Sequence, residues 1–397
     1  TADSTGGDGD STSGDGDGDG DGDGNDTAAT GDGDGDGDGD GDGEMLYPAV
    51  GVDITKVEAN QGVGISIGDG ADPVPAPQRE ARLIAGRETL VRVHHEVHPD
   101  FIPRMMRARL EITRQDQSTV VYDDTRQVFA DSSPGDLDSG FSFTLDCGAG
   151  DCDSGTDYQV TVWDLEEQGT QSEGVHTTPS TAAAVVGFED LNLEMRLVFV
   201  PLHYVPAGTT PDLNMTWMDS IRDSIYQMTP TTSVTYEVRP VAQLTETLSD
   251  NLFPAAQIIL DTYNNDFPQP NEYYVGVVDP QLQPPLHGIA WVGQNASAIS
   301  YDPSPVTFAI NVVHETGHNH ELVHVDCPDY PFPMGQFDED FPSVDGLIVT
   351  GGYGVLDGLY RDPTTNYDYM SYCTPGWISA YHWDLIMSDL QAENTQP

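Results

Sequence analysis

Residues 306–324 read VTFAINVVHETGHNHELVH, and this stretch decides what the second half of the chain can be. Its first part is apolar on most faces, which predicts a buried helix. His314 and His318 are four residues apart, so a helix places both imidazoles on one face, about one turn apart. Two neutral imidazoles at that spacing can hold one Zn²⁺ at about 2.0–2.1 Å. Glu315 lies to the side of this metal position and can accept a proton from a metal-activated water.

A catalytic zinc ion needs a third protein ligand and one open position, and His324 is the candidate ligand. On a continuous helix, His324 would lie about 15 Å beyond His314 and could not reach the same metal. We therefore predict that the helix ends within residues 319–322 and that the chain turns back there, with Asn319 as a left-handed cap.

The whole pattern resembles the signature of the metzincin metallopeptidases, which reads His-Glu-x-x-His-x-x-Gly-x-x-His. His314, Glu315, His318 and His324 agree with it. Glu321 stands where the family has glycine, the residue that allows the sharp turn between the second and third ligands. A non-glycine residue in a left-handed conformation costs on the order of 1 kcal/mol.

This departure leaves two alternatives for the third ligand, Asp326 and His320. On a helix, His320 falls on the wrong face for the metal, so Asp326 is the better alternative.

The resemblance also implies a methionine turn beneath the metal, for which YDYMSY at residues 367–372 is the candidate, with Met370 as the methionine. In the astacin-like and serralysin-like branches, a tyrosine two positions later approaches the zinc. Tyr372 occupies that place, and by resemblance it would stabilise the oxyanion of the tetrahedral intermediate. A disulfide between Cys327 and Cys373 would connect the third-ligand loop to this turn.

In metzincins, an edge strand before the active-site helix binds the substrate backbone as an added strand. The candidate residues here are Gly288, Ile289, Ala290 and Trp291.

The rest of the chain predicts three further features. Residues 45–184 alternate apolar and polar positions in short segments between turn-rich clusters, which is typical of a β-sandwich. Residues 185–397 alternate strands with helices, as expected of an α+β, metzincin-like catalytic domain. The predicted helices lie at residues 211–228, 252–263 and 377–390, besides the histidine-bearing one.

Residues 1–44 are a low-complexity tract of Gly-Asp repeats without Lys or Arg. Such a segment has no apolar surface to bury and repels itself, so we expect a disordered spacer that could tether the protein to a surface. Gly-Asp repeats resemble those of calcium-binding β-rolls, but the regular apolar residue that builds a β-roll core is missing. Calcium therefore stays an alternative ligand without further support.

The formal net charge is −53, from 67 acidic and 14 basic residues, and Lys56 is the only lysine. Phosphate binding needs clustered Lys and Arg, so we expect no nucleic acid and no anionic membrane surface as partners. The sequence contains no run of about twenty apolar residues, so it predicts no transmembrane helix. The acidic excess suits either a highly soluble surface or a protein that lives in concentrated salt, where self-repulsion is screened.

Four cysteines, an even number, predict two disulfides in an exported chain. Cys147 and Cys152 are near enough in sequence to close a small loop, and Cys327 would then pair with Cys373. Metal binding by some of them is the alternative, although no Cys-x-x-Cys spacing is present.

Together these features predict a monomeric, extracellular or cell-surface zinc endopeptidase that hydrolyses extracellular proteins or peptides. One alternative is a non-catalytic binding or adhesion protein with a structural zinc site. Glu321 favours that alternative, and Glu315 argues against it because a structural site needs no general base. A second alternative is a zinc-dependent amidase on another substrate, such as a cell-wall peptide.

Overall fold

The computed structural model describes residues 45–169, 172–249, 251–281, 287–330 and 337–395. The tract at residues 1–44, for which the sequence predicts disorder, lies outside these residues. Within the described ranges the chain is mostly β-structure in several sheets, with four α-helices. None of these helices is long and apolar enough to cross a membrane.

Short strands dominate the N-terminal half, where two 3₁₀ helices, Ala76–Gln78 and Cys147–Ala149, also occur. The strands are β1 (Tyr47–Pro48), β2 (Val52–Asn60), β3 (Gly64–Asp69), β4 (Asp72–Pro73), β5 (Leu83–Ile84), β6 (Leu90–Val97), β7 (Arg104–Thr113), β8 (Thr119–Val128), β9 (Phe141–Thr144), β10 (Asp157–Asp164), β11 (Thr177–Thr178), β12 (Ala184–Val185) and β13 (Phe188–Glu189).

Two antiparallel sheets account for most of these strands. One has the order β1-β10-β7-β8, with β11 and β12 also paired to β10, and the other has the order β4-β3-β2-β6-β9. Alternate side chains of both sheets, such as Val57 and Leu110, are fully buried in a shared core. The Tyr158 hydroxyl of β10 donates to the Ile67 carbonyl of β3 at 2.6 Å and so links the two sheets. This arrangement is compatible with the predicted β-sandwich.

The C-terminal half mixes helices with a parallel sheet. Its strands are β14 (Glu194–Tyr204), β15 (Ser233–Val238), β16 (Ala242–Leu244), β17 (Glu272–Val278), β18 (Gly288–Ala290), β19 (Ala296–Ser300), β20 (Gly352–Tyr353), β21 (Tyr360–Arg361), β22 (Tyr367–Asp368) and β23 (Gly376–Trp377). Its helices are α1 (Met215–Met228), α2 (Phe253–Asp266), α3 (Pro305–Asn319) and α4 (Ala380–Asn394).

The main sheet of this half has the order β15-β14-β17-β19-β18, with β16 paired to β14. All its pairings are parallel except that of β18, which lies antiparallel to β19 at the edge. Both faces are covered: Leu197 and Phe199 of β14 belong to the core that includes α1 and α3, whereas Val198 and Val200 pack with α2. Burial on both faces is the usual condition of a parallel sheet.

Helix ends follow local capping chemistry. The Asn214 side chain accepts a hydrogen bond from the Trp217 amide at 3.1 Å, so α1 begins at Met215, four residues later than the sequence predicts. Ser304 caps α3, and Pro305 occupies its first turn. These caps place the start of α3 directly after β19, so that its last turn ends beside β18.

The predicted domain boundary lies between residues 184 and 185. Residues before this boundary contact residues after it closely. β13 pairs in parallel with β5. Trp383 of α4 is fully buried and donates its indole N–H to the Arg82 carbonyl at 3.2 Å. Trp377 donates likewise to the Gly62 carbonyl at 2.7 Å. Met45–Pro397 form one compact unit, and its division into two domains stays a prediction.

Candidate functional site

Three histidine rings converge at the end of α3. His314 and His318 come from the helix and His324 from the segment after it, and one nitrogen of each ring lies within 4.8 Å of the other two. The Nε2 atoms of His318 and His324 are 3.2 Å apart. The structure therefore brings together all three of the predicted ligands in a group that could hold a metal ion.

Backbone carbonyl groups determine which nitrogens face the centre of this group. Nδ1 of His314 lies 2.8 Å from the Tyr369 carbonyl oxygen, and Nδ1 of His318 lies 2.8 Å from that of Leu322. A carbonyl only accepts, so Nδ1 carries the hydrogen in both rings and Nε2 keeps its lone pair. Burial lowers the pKa of His314 to about 3 and that of His324 to about 4, so both rings are neutral at pH 7. Neutral imidazoles with inward lone pairs are the chemical form that binds a metal.

The chain reversal between His318 and His324, the second and third predicted ligands, centres on Glu321. Its φ of 64° is left-handed, its amide donates to the His318 carbonyl at 3.1 Å, and the Leu322 amide donates to the Gly317 carbonyl at 3.0 Å. The predicted reversal is present. The prediction that Asn319 would be the left-handed residue is wrong, because its side chain is buried and donates to three carbonyls of the β18–β19 connection, which keeps its backbone helical.

Met370 lies directly beneath the last turn of α3. It is fully buried, and a Cβ added at Gly317 would lie only 2.4 Å from its sulfur. The glycine is thus required by close packing, not by its backbone angles. The Val325 amide donates to the Met370 carbonyl at 3.0 Å, which joins the segment of the predicted third ligand to the predicted methionine turn.

Both predicted disulfides are present. Cys327–Cys373 joins the third-ligand segment to the methionine turn, with the two Cα atoms 6.2 Å apart. Cys147–Cys152 closes a small loop in the N-terminal half. Disulfides are compatible with an extracellular protein.

Glu315 is buried, with 6% of its surface exposed, and burial raises its pKa to about 8. Its carboxylate lies against the edge strand: a Cβ added at Gly288 would be 2.3 Å from Glu315 Oε1. The first residue of β18 is therefore a glycine for a steric reason that involves the predicted general base. A carboxyl group with a pKa near neutrality can both accept and donate a proton near pH 7.

Tyr372 lies at the rim of the histidine group. Its ring centroid is 4.9 Å from that of His324 and 5.7 Å from that of His314, and half of its surface is exposed. Burial of the rest of the side chain, together with the nearby Glu315 carboxylate, raises the pKa of its hydroxyl. The ring is thus close to the metal-binding group and reachable from solvent.

The predicted substrate strand is β18, which forms the edge of the main sheet beside Glu315. Trp291 follows β18, and its indole packs on Phe253 of α2, with ring centroids 5.2 Å apart, and donates to the Ala256 carbonyl. Substrate binding by Gly288, Ile289, Ala290 and Trp291 stays a prediction.

His320, the alternative third ligand, belongs to a different cluster. Its Nδ1 lies 2.6 Å from Asp389 Oδ2, close to Glu393. The Glu393 carboxylate accepts hydrogen bonds from Tyr273 and Asn295. These groups satisfy one another inside the chain, and sequence reasoning missed them because α3 and α4 are distant in sequence.

The sequence also offered no signal for a buried pair behind the methionine turn. His382 Nδ1 lies 2.8 Å from Asp368 Oδ1, and neither side chain is exposed. Asp368 ends β22 and His382 lies in α4, so the two residues share no helix or strand whose period could have related them.

No protein-family model and no curated protein matches the chain. Among solved structures, a chaperone–substrate complex is similar over 65% of this chain and 40% of its own, at 12% identity and a TM-score of 0.28. A calcium-binding mutant of Bacteroides uniformis β-glucuronidase 2 matches over 68% and 26% of the two chains, at 7% identity and a TM-score of 0.18. A Paenibacillus cycloisomaltooligosaccharide glucanotransferase matches over 74% and 41%, at 12% identity and a TM-score of 0.20. The chain spans less than half the length of each, and scores this low indicate neither a shared fold nor a shared function.

Proposed function

We propose that this protein is a metzincin-like zinc endopeptidase that acts on extracellular proteins or peptides. The observation that carries the proposal is the convergence of three neutral imidazoles, His314, His318 and His324, beside the buried carboxyl group of Glu315. A structural metal site would gain nothing from a proton acceptor at this position.

The distances suit zinc. A tetrahedral ion with Zn–N bonds of about 2.0–2.1 Å holds its ligand nitrogens about 3.3 Å apart. The Nε2 atoms of His318 and His324 are 3.2 Å apart. Imidazole ligands also favour zinc over magnesium or calcium.

When bound there, Zn²⁺ would act as a Lewis acid that makes water acidic near neutral pH. Glu315 would accept one proton from a water molecule as the water oxygen adds to the carbonyl carbon of the scissile peptide bond. Glu315 then donates the proton to the amide nitrogen as the C–N bond breaks, which regenerates the carboxylate. Tyr372, whose ring borders His324, would donate a hydrogen bond from its hydroxyl group to the developing oxyanion and keep its proton.

The edge strand β18 would hold the substrate. Among the described residues, β18 has a paired strand on one side only, so its other edge could pair with an extended peptide, and Gly288 would bring that peptide against the Glu315 carboxylate. A peptide bound in this way would have its scissile bond beside the three histidines.

The alternative of a non-catalytic binding protein drew its support from Glu321 in the glycine position. That residue adopts the left-handed conformation without displacing His324 from the ligand group, so this support is removed. Amide hydrolysis of a non-protein substrate would use the same residues and is distinguished by the substrates tested.

Glu315→Gln tests the proposal. The amide keeps the size of the side chain but cannot accept the proton, so we expect zinc to stay bound and cleavage of casein and gelatin to fall by at least about 10²-fold. Glu393→Gln is the matched control, because Glu393 is also a carboxyl group whose pKa is raised by burial, but it lies in the His320 cluster.

Zinc content is measured by plasma mass spectrometry and cleavage by release of labelled peptides. A Glu315→Gln variant that cleaves at the wild-type rate contradicts the assignment. A wild-type protein that contains zinc but cleaves neither proteins nor cell-wall peptides would favour the binding function instead.

A further inference from the structure

His382 lies in the first turn of α4, outside the three-histidine group, and is fully buried. Its Nδ1 donates to Asp368 Oδ1 at 2.8 Å. Its Nε2 lies 3.9 Å from Asp338 Oδ2, which is an ion-pair distance longer than a direct hydrogen bond. Burial by itself lowers the pKa of His382, but the two carboxylates outweigh it and raise the pKa to about 9. The ring is therefore an imidazolium at neutral pH, between two aspartates.

The Asp368 carboxylate holds the methionine turn. Its Oδ1 also accepts from the Met370 amide at 2.8 Å, and its Oδ2 accepts from the Ser379 amide at 3.1 Å. The residue between Asp368 and Met370 is Tyr369, whose carbonyl accepts the hydrogen bond from Nδ1 of His314. Fixing Asp368 therefore fixes the carbonyl that orients the first ligand ring.

Asp338 holds the third-ligand segment. Its amide donates to the carbonyl of His324 at 2.8 Å, and its Oδ1 accepts from the Asp340 amide at 3.0 Å. Asp338 thus faces His382 with its carboxylate, and its backbone amide is hydrogen-bonded to the backbone carbonyl of His324.

We propose that His382 is a positioning residue of the metal site. Through Asp368 it fixes the orientation of the His314 ring, and through Asp338 it fixes the position of His324. The inference rests on the proposed function in one respect, that the three histidines bind a metal. The physical reason is charge: without the imidazolium, the fully buried Asp368 would lose its only cationic partner among the described residues, and a buried carboxylate without a partner is strongly unfavourable. The methionine turn would then rearrange to hydrate or protonate this carboxylate, and the Tyr369 carbonyl would move with it.

Two variants test the roles of His382 and of its partner Asp338 separately. His382→Asn keeps a donor near the position of Nδ1 but loses the charge and the reach to Asp338. Asp338→Asn keeps the backbone hydrogen bond to His324 and the acceptor for the Asp340 amide, but it removes the charge and replaces the oxygen that faces His382 with an amide NH₂ group. His98→Asn is the control, because it removes a histidine–aspartate pair in the N-terminal half, where His98 Nε2 lies 2.8 Å from Asp53 Oδ2.

The readouts are the Zn²⁺ dissociation constant, from competition with a chromophoric chelator, and the visible spectrum of the Co²⁺-loaded protein, which reports ligand geometry. We expect His382→Asn to weaken zinc binding by about 10–100-fold, as loss of a group that orients metal ligands does, and to shift the Co²⁺ bands. Asp338→Asn should weaken zinc binding by a few-fold and shift the Co²⁺ bands in the same direction as His382→Asn. His98→Asn should change neither the zinc affinity nor the spectrum. Melting of the metal-free proteins reports any general loss of stability.

A folded His382→Asn variant with the zinc affinity and Co²⁺ spectrum of the wild type overturns the inference. If His382→Asn does not fold, Asp338→Asn decides alone, and an unchanged affinity overturns it. Wild-type protein that binds one zinc ion but cleaves nothing contradicts the peptidase proposal and leaves these metal measurements valid. Wild-type protein that binds no zinc overturns both.

Discussion

Replacing Gly288 with alanine should displace the proposed general base without altering it. The added Cβ would lie 2.3 Å from Glu315 Oε1 and 2.7 Å from Glu315 Cγ. Ordinary contacts of this kind begin at 3.4 Å, so the carboxylate must move by roughly 1.1 Å or the strand must move away from it. The backbone of Gly288 is not in the left-handed region, so alanine itself introduces no conformational strain there.

A displacement of this size is large for a catalytic group, since a misplacement of about 1 Å can cost on the order of 10²-fold in rate. We therefore expect kcat of Gly288→Ala to fall by about 10²-fold, with zinc content unchanged because the three atoms nearest to the new methyl group all belong to Glu315. Overpacking should also lower the free energy of unfolding by about 1–3 kcal/mol.

The assay is cleavage of a fluorogenic peptide, with kcat and KM determined separately and zinc measured in the same preparation. Gly169→Ala serves as a control because a Cβ at Gly169 meets nothing within 4 Å. If Gly288→Ala lost only substrate affinity, with kcat unchanged, the contact with Glu315 would have no catalytic consequence. If it retained full activity, the proposed position of the base would be wrong.

Three other outcomes follow from the same structure. Replacing Cys327 and Cys373 together with serine should lower the free energy of unfolding by about 4 kcal/mol, against about 2 kcal/mol for the shorter bridge, because they close loops of 46 and 5 residues. Urea unfolding measures both, and equal losses would contradict this reasoning. Glu321→Gly should keep zinc affinity within about twofold, since glycine adopts the φ of 64° without strain; a tenfold gain in affinity would show that Glu321 distorts the turn. His382 has a pKa raised to about 9, so its stabilising effect is full below the unfolded value and is lost as pH rises through 9. The melting temperature of the wild type should therefore fall more between pH 7 and pH 10 than that of His382→Asn. Parallel curves of melting temperature against pH would show that the titration of His382 does not contribute to stability.

Much of the candidate site follows from local sequence rules. The spacing of His314 and His318 on a helix predicts one shared face, and the position of His324 requires a reversal that the structure contains. The two disulfides follow from an even cysteine count and from loop lengths. These properties depend on helical period and chain connectivity, which a sequence states directly.

The residue that adopts the left-handed turn could not be chosen from propensity. Asn has a higher intrinsic preference for that conformation than Glu, yet Asn319 stays helical and Glu321 makes the turn. Hydrogen bonds from the Asn319 side chain to the β18–β19 connection determine the outcome. Such bonds join segments more than twenty residues apart, so no local pattern contains them.

By itself, the sequence determined which groups make up the candidate site: three imidazoles, one carboxyl group, a methionine and one cysteine pair, at spacings that a helix and a return loop satisfy. Only the tertiary structure decided how these groups are held. It placed Glu315 against Gly288, gave His314 its hydrogen-bond acceptor at Tyr369, and buried His382 between two aspartates. The physical reason is that desolvation and hydrogen-bond direction depend on which distant segments pack together, whereas residue type and helical spacing do not.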